Sequence, residues 1–200
     1  NMAVGSGEFM PTPDLALSVR KVSREGSLRI ARAAFAHAAT RPARHVTAVH
    51  KANVLKLGDG LFLDSCRAVA ADYPQIRYDE VIVDAMAALL IRDPGAFDTI
   101  VTTNMFGDIL SDQASELSGS LGLAASLNAG EHHAMAQAQH GSAPDIAGKD
   151  IANPASLIGS AAMLLDWLGA RHALPALRAS ASAIETAIDA ALTSPETRTR

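Results

Sequence analysis

Asp108 and Asp112 stand four residues apart in "TTNMFGDILSDQAS", residues 102–115, a run with helical spacing. Residues four apart on a helix share a face, and like charges there repel by a few tenths of a kcal/mol. A divalent cation held by both carboxylates would remove that repulsion. Mg²⁺ and Mn²⁺ suit the role, because they take carboxylate oxygens and keep water or substrate in the remaining positions. The spacing also allows a plainer reading, in which Asp108 favours the helix dipole and Asp112 is solvated. Two further charges fall at strand-like ends. Lys51 closes the apolar run "HVTAVHK", 45–51, and Asp84 closes "IRYDEVIVD", 76–84. In parallel α/β sheets, ligands bind beyond the carboxyl ends of the strands. An ammonium and several carboxylates would then meet at one edge, with Asp84 as a third oxygen ligand beside Asp108 and Asp112. Lys51 could equally be a surface lysine.

The other chemical feature is the run "HGSAPDIAGKDIANP", 140–154. It is too long for a simple turn, and its small residues let backbone come close to a ligand. His140, Gly141 and Ser142 could present N–H groups to an anion. Neither a GxGxxG fingerprint nor a P-loop occurs in a strand-to-helix setting. His132 and His133 lack the cysteine or carboxylate spacing of a metal centre and read as solvated or structural.

These residues need elements to hold them. Strands are expected at 15–22, 45–51, 76–84 and 97–103 from alternation and β-branched content. Helices are expected at 23–40, 60–73, 85–93 and 104–118, with Ser23 and Asn104 as caps. Strand and helix in alternation imply an α/β domain with a largely parallel sheet. From residue 118 the texture changes to small residues and turn formers, then the long loop, then helices at 155–170 and 173–192. The expected organisation is a loop or arm remnant over 1–13, a central domain over 14–118, and a third segment over 119–200. The two last helices carry apolar stripes that need a partner surface. No upstream strands are evident for them to pack on, which would leave the segment mobile.

Composition narrows the classes. The 200 residues are 48% hydrophobic with a formal charge of −4, ordinary for an α/β chain with a sizeable core. No basic patch suggests nucleic acid, and no apolar run reaches the ~20 residues of a membrane span. One cysteine, Cys66, sits in an apolar helical pattern as a buried thiol, which fits a cytoplasmic location.

Four motifs, "VHKANVLKLGDGLF", "VDAMAALL", "TTNMFGDILSDQASELSGSLG" and "HGSAPDIAGKDIANP", resemble the β-decarboxylating dehydrogenases of isopropylmalate, isocitrate, homoisocitrate and tartrate, from about residue 14 to about residue 198. The resemblance implies an isopropylmalate dehydrogenase-like, non-Rossmann two-domain α/β fold with its site in the interdomain cleft. It implies a homodimer with shared active sites and NAD-dependent oxidation of a 2-hydroxy diacid followed by loss of the β-carboxyl group. Carried over residue by residue, Lys51 is the proton-relay lysine and Asp84 the catalytic and metal aspartate. Asp108 and Asp112 are ligands of Mg²⁺ or Mn²⁺, and Val54 faces the substrate's side chain. The loop residues His140, Gly141, Ser142, Ala143, Pro144, Asp145 and Asn153 hold the adenosine of the cofactor. Asp145 falls where NAD-preferring relatives bind the ribose. "MAQAQH" departs from the Glu-Pro that many relatives carry ahead of the loop histidine. The family's N-terminal portion, with the substrate arginines and an acid tyrosine, has no match here; Tyr73 and Tyr78 do not fit that motif. The expectation is a portion of a longer enzyme with an incomplete first domain, inactive alone. The alternative is a non-catalytic regulatory or dimerisation subunit, against which the retention of Lys51, Asp84, Asp108 and Asp112 argues.

Overall fold

The structure is a computed structural model and describes residues 7–194. The chain divides into two compact units, with the division between Gln113 and Ala114.

The first unit opens on an antiparallel hairpin, β1 (Glu8–Thr12) and β2 (Leu15–Ser18). A strand here departs from the expected loop over 1–13, of which residues 1–6 lie outside the described residues. Pro11 obscured it: proline is confined to edge strands and bulges, and the register shifts between Phe9 and Thr12. The strand expected over 15–22 ends four residues early, at Ser18. Helix α1 (Arg24–Thr40) then starts at Ser23, whose hydroxyl accepts from the Gly26 N–H at 3.2 Å. Its buried residues Ser27, Ala31, Ala34, Phe35 and Ala38 follow helical spacing.

Next come β3 (His45–His50), α2 (Gly58–Ala70), β4 (Arg77–Ile82), α3 (Val83–Arg92), β5 (Thr99–Thr102) and α4 (Asn104–Leu117). The three strands are parallel, in the order β4-β3-β5. The chain steps from β3 one way to β4, then back past β3 to β5. Crossovers of this kind are right-handed, so reversing direction moves the connecting helix to the other face. The core records this. Val46, Ala48 and Val101 pack with Phe35, Phe62 and Leu63 on the face of α1 and α2. Val49, one register position on, packs with Met86, Leu90 and Leu110 on the face of α3 and α4.

Asp84 does not end a strand as expected. It lies in the first turn of α3, because β4 closes at Ile82 and the helix begins at once. Likewise α4 begins at Asn104 itself, so Thr103 takes the position ahead of the helix.

The second unit holds an antiparallel hairpin, β6 (Ala125–Ala129) and β7 (Ala134–Ala138), then α5 (Ala155–Arg171) and α6 (Pro175–Thr193). The expectation that its helices lack strands to pack on is thus corrected. "ASLNA" and "AMAQA" have little β propensity, and α5 stabilises them by covering both. Two buried serines fasten it. Ser156 Oγ donates to the Ala124 carbonyl at 2.5 Å, and Ser160 Oγ accepts from the Ser126 N–H at 2.9 Å. Among the described residues, no helix is long and apolar enough to cross a membrane.

Phe35 is fully buried, with Tyr73 and Tyr78 at ring-centroid distances of 5.4 and 5.8 Å. Phe35→Ala is expected to destabilise the first unit by about 3–5 kcal/mol, read by denaturant unfolding. A loss under about 1 kcal/mol would show that the α1 face is not the core of this unit.

Candidate functional site

The carboxyl ends of β3, β4 and β5 bring together part of the expected constellation. Lys51 follows β3 directly, and its ammonium donates to the Asp84 carboxylate at the start of α3. Strand order explains the pairing, since β3 and β4 are hydrogen-bonded neighbours and His50 lies opposite Ile82. The Lys51 side chain is half-buried, whereas Asp84 is exposed. The ammonium holds the Asp84 carboxyl below the usual carboxylate range, and a backbone hydrogen bond adds to the effect.

The backbone around Lys51 is fixed at several points. Its N–H donates to Asp59 Oδ2 at 2.6 Å, and the next N–H, of Ala52, donates to His50 Nδ1 at 3.0 Å. Its carbonyl accepts from the N–H groups of Val54 and Leu55. Val54 lies in that turn, 65% exposed.

Asp59, in the first turn of α2, has no exposure to solvent. Arg20 Nη1 pairs with it at 2.5 Å, while Arg20 Nη2 donates to Thr103 Oγ1 at 2.7 Å, just past β5. The same guanidinium lies over the Phe106 ring, 5.4 Å from its centroid. Sequence reasoning passed over Arg20, Asp59 and Thr103. A carboxylate at a helix start reads as a dipole partner, and nothing local marks it as buried against an arginine 39 positions away.

Asp108 and Asp112 lie on α4, both exposed. Asp84 does not join them within one chain: no three His, Cys, Asp or Glu side chains among the described residues are grouped to hold a metal ion. Within one chain the three carboxylates are not brought together, for a topological reason. Helices α3 and α4 leave strands that lie on opposite sides of β3, two strand spacings or about 10 Å apart. Two hard oxygen donors on one helix still suit a divalent ion that takes its other ligands from substrate, water or another chain.

In the second unit, His140, Gly141, Ser142, Ala143 and Asn153 line an open cleft of about 1300 Å³. Pro144 and Asp145 belong to the same loop, in a single 3-10 turn, but do not line the cleft. Ala143 has φ +41° directly before a proline. An L-residue in that left-handed conformation costs roughly 1–2 kcal/mol, and such strain gathers at ligand clamps. His140 is exposed, with Nδ1 2.8 Å from the Gly141 carbonyl, and the Asn153 carbonyl oxygen accepts from the Ala155 N–H at 2.9 Å. Gly119 and Gly122 line the same cleft without having been anticipated.

Elsewhere, Arg67 forms paired 2.7 Å contacts with Glu80, and Tyr78 donates to the same carboxylate at 2.9 Å. Burial pushes the Cys66 thiol up to about 12, so it is an inert core residue. His132 meets Arg171 at 3.2 Å and belongs to no group of three or more His, Cys, Asp or Glu side chains that could hold a metal ion among the described residues.

Fold and site together define an α/β chain with an ammonium–carboxylate pair at the carboxyl edge of a parallel sheet and a strained loop lining an open cleft in a second unit. Comparison with known proteins extends this. A sequence profile of the isocitrate/isopropylmalate dehydrogenases matches residues 5–200. The chain is 53% identical over 156 residues to a 3-isopropylmalate dehydrogenase of Archaeoglobus fulgidus, covering 78% of this chain and 48% of that protein. It is 47% identical over 162 residues to an isocitrate dehydrogenase of Rickettsia bellii whose name carries NADP, covering 81% of this chain and 34% of that one. The crystal structure of isocitrate dehydrogenase from Methylococcus capsulatus superposes with a TM-score of 0.75 at 50% identity, over 78% of this chain and 46% of that one. The chain belongs to the isocitrate/isopropylmalate dehydrogenase family. It spans about a third to a half of the length of these relatives.

The Lys51–Asp84 contact makes a directional prediction. A carboxyl whose folded pKa is lowered contributes stability that is present above the ordinary aspartate range and lost as pH falls through the lowered value. In a ¹³C NMR titration the Asp84 midpoint should lie below the ordinary value of about 3.9, and Lys51→Met should move it upward. An unchanged midpoint in the variant would show that the ammonium is not what holds the proton off.

Proposed function

We propose that this chain supplies the acid–base and metal half of an NAD-dependent enzyme that oxidises and decarboxylates a 2-hydroxy diacid of the isopropylmalate, isocitrate or tartrate type. The observation that carries the reading is the Lys51 ammonium held on Asp84 at the sheet's carboxyl edge. A regulatory or dimerisation subunit gives no reason for one chain to carry that pair together with exposed Asp108 and Asp112.

When bound, the divalent ion supplies Lewis acidity toward the substrate's oxygens, and the nicotinamide supplies a hydride acceptor. Lys51 Nζ first passes a proton by way of Asp84 to solvent, and as the neutral amine then takes the proton of the substrate hydroxyl. Asp84, exposed on its far side, orients the ammonium and connects it to solvent. Asp108 and Asp112 bind the cation. Val54 contacts the substrate's variable substituent, an apolar environment that suits an alkyl group.

A second copy of the chain completes the ligand set. Support comes from α4, where Met105 and Ile109, 57% and 59% exposed, lie beside the acid pair. Apolar side chains next to carboxylates offer a surface for a partner, and a homodimer bringing Asp84 of one copy to Asp108 and Asp112 of the other answers the absence of a trio within one chain. The loop of His140, Gly141, Ser142, Ala143, Pro144, Asp145 and Asn153 takes the adenosine. The Asp145 carboxylate accepts from a ribose 2′-hydroxyl and repels a 2′-phosphate, which favours NAD over NADP. The reading places the enzyme in the cytoplasm, on a small-molecule substrate.

The test uses this chain in place of the segment it matches in the Archaeoglobus fulgidus protein, assayed with NAD, Mn²⁺ and a panel of 2-hydroxy diacids. The chimera should turn over, the 200 residues alone should not, and NAD should be preferred to NADP. Lys51→Ala should lower kcat by about 10²–10⁴-fold, the usual share of a general acid–base group, with NAD affinity nearly unchanged. A loss below about tenfold would remove Lys51 from the proton path.

A further inference from the structure

We propose that Arg20 and Asp59 are positioning residues, which aim Lys51 by clamping its backbone and tying the carboxyl ends of β3 and β5 to each other. The role of Lys51 is that of the proposed function, and the clamp is the new element. The chain of contacts is continuous. From Thr103 Oγ1, past β5, it runs to Arg20 Nη2, from Arg20 Nη1 to Asp59 Oδ1, and from Asp59 Oδ2 to the Lys51 N–H. The Lys51 side chain carries it on to Asp84 and α3. Every strand of the parallel sheet therefore ends in one network.

Each residue type is chosen by geometry. Asp59 presents two oxygens, and each has a separate donor at 2.5 or 2.6 Å. Arg20 presents two nitrogens in a fixed fork, which a lysine cannot reproduce. Burial of Asp59 removes competing water, so both hydrogen bonds act at full strength. The Phe106 ring beneath the guanidinium limits its swing and adds a contact to α4. An ammonium at the end of a four-carbon stem is flexible. Fixing its backbone N–H and carbonyl, and seating Nζ on Asp84, leaves few orientations open. Small misplacements of reacting groups are costly in rate.

Hydrogen exchange reads the clamp directly, because the Lys51 amide proton is itself the donor to Asp59. In the 200-residue chain, Asp59→Asn should raise exchange at the Lys51 amide by at least about tenfold, the effect of losing one charge-assisted hydrogen bond. The buried amides of Ala34 and Phe35 should not follow it. Arg20→Lys keeps a charge opposite Asp59 and should retain most of the protection. In the chimera, both variants should lower kcat several-fold with KM within about twofold, Asp59→Asn the more. Should Asp59→Asn fail to fold, Arg20→Lys carries the kinetic test. Unchanged exchange at Lys51, exchange rising equally at Phe35, or unchanged kcat would each overturn the clamp. A clamp seen by exchange beside a harmless Lys51→Ala would instead overturn the catalytic role of Lys51.

Discussion

Asp59 carries a carboxylate with no access to solvent, nine residues after the end of a parallel strand. Leaving such a charge without its partner typically costs about 3–5 kcal/mol, so its surroundings must supply donors on both sides. One side is Arg20, which enters from the connection between the first hairpin and α1. The other is the main chain of Lys51. The first α2 turn adds the favourable field of a helix start. Satisfying one buried charge thus draws three separate parts of the chain to a single point, and that point is where the sheet presents Lys51. The half-exposed ammonium can face Asp84 with its direction already set.

The same topology accounts for what the edge lacks. With β3 central, β4 and β5 end on either side of it, so α3 and α4 start two strands apart although both pack on one face. Lys51 reaches α3 because its strand is next to β4. Asp108 and Asp112, on α4, remain apart from Asp84 within one chain. On the proposed reading, Lys51 and Asp84 of one copy and Asp108 and Asp112 of another would meet only on assembly. Exposed Met105 and Ile109 flank the acid pair, where association would bury them.

Much of the first unit was legible because its signals are local. Ser23 caps α1 as its type suggests, and Phe35, Phe62 and Val46 fall on the buried faces that periodicity assigns. The nearness of Lys51 to Asp84 follows from two adjacent strand ends. What escaped reading depends on distant partners. The strands over Ala125–Ala129 and Ala134–Ala138 are made of residues with weak β preference, and Ser156 and Ser160 of a later helix hold them. Pro11 concealed a hairpin that an edge strand tolerates. Asp59 resembled any acidic residue at a helix start until Arg20 was placed against it. Ala143 gave no sign of its left-handed backbone ahead of the turn at Pro144.

The central claim is that one site draws Lys51 and Asp84 from one copy of the chain and Asp108 and Asp112 from another. Mixed dimers test it most directly. Two chimeric proteins, one carrying Lys51→Ala and the other Asp108→Asn, are each inactive as homodimers on this account. Unfolded together and refolded as a mixture, they form heterodimers in which one site carries both substitutions and the other carries neither. The account predicts that these heterodimers regain about half of the unsubstituted dimer's activity, one of two equivalent sites being intact. Heterodimers that form and stay inactive would place all four residues of a site in a single copy and contradict the account.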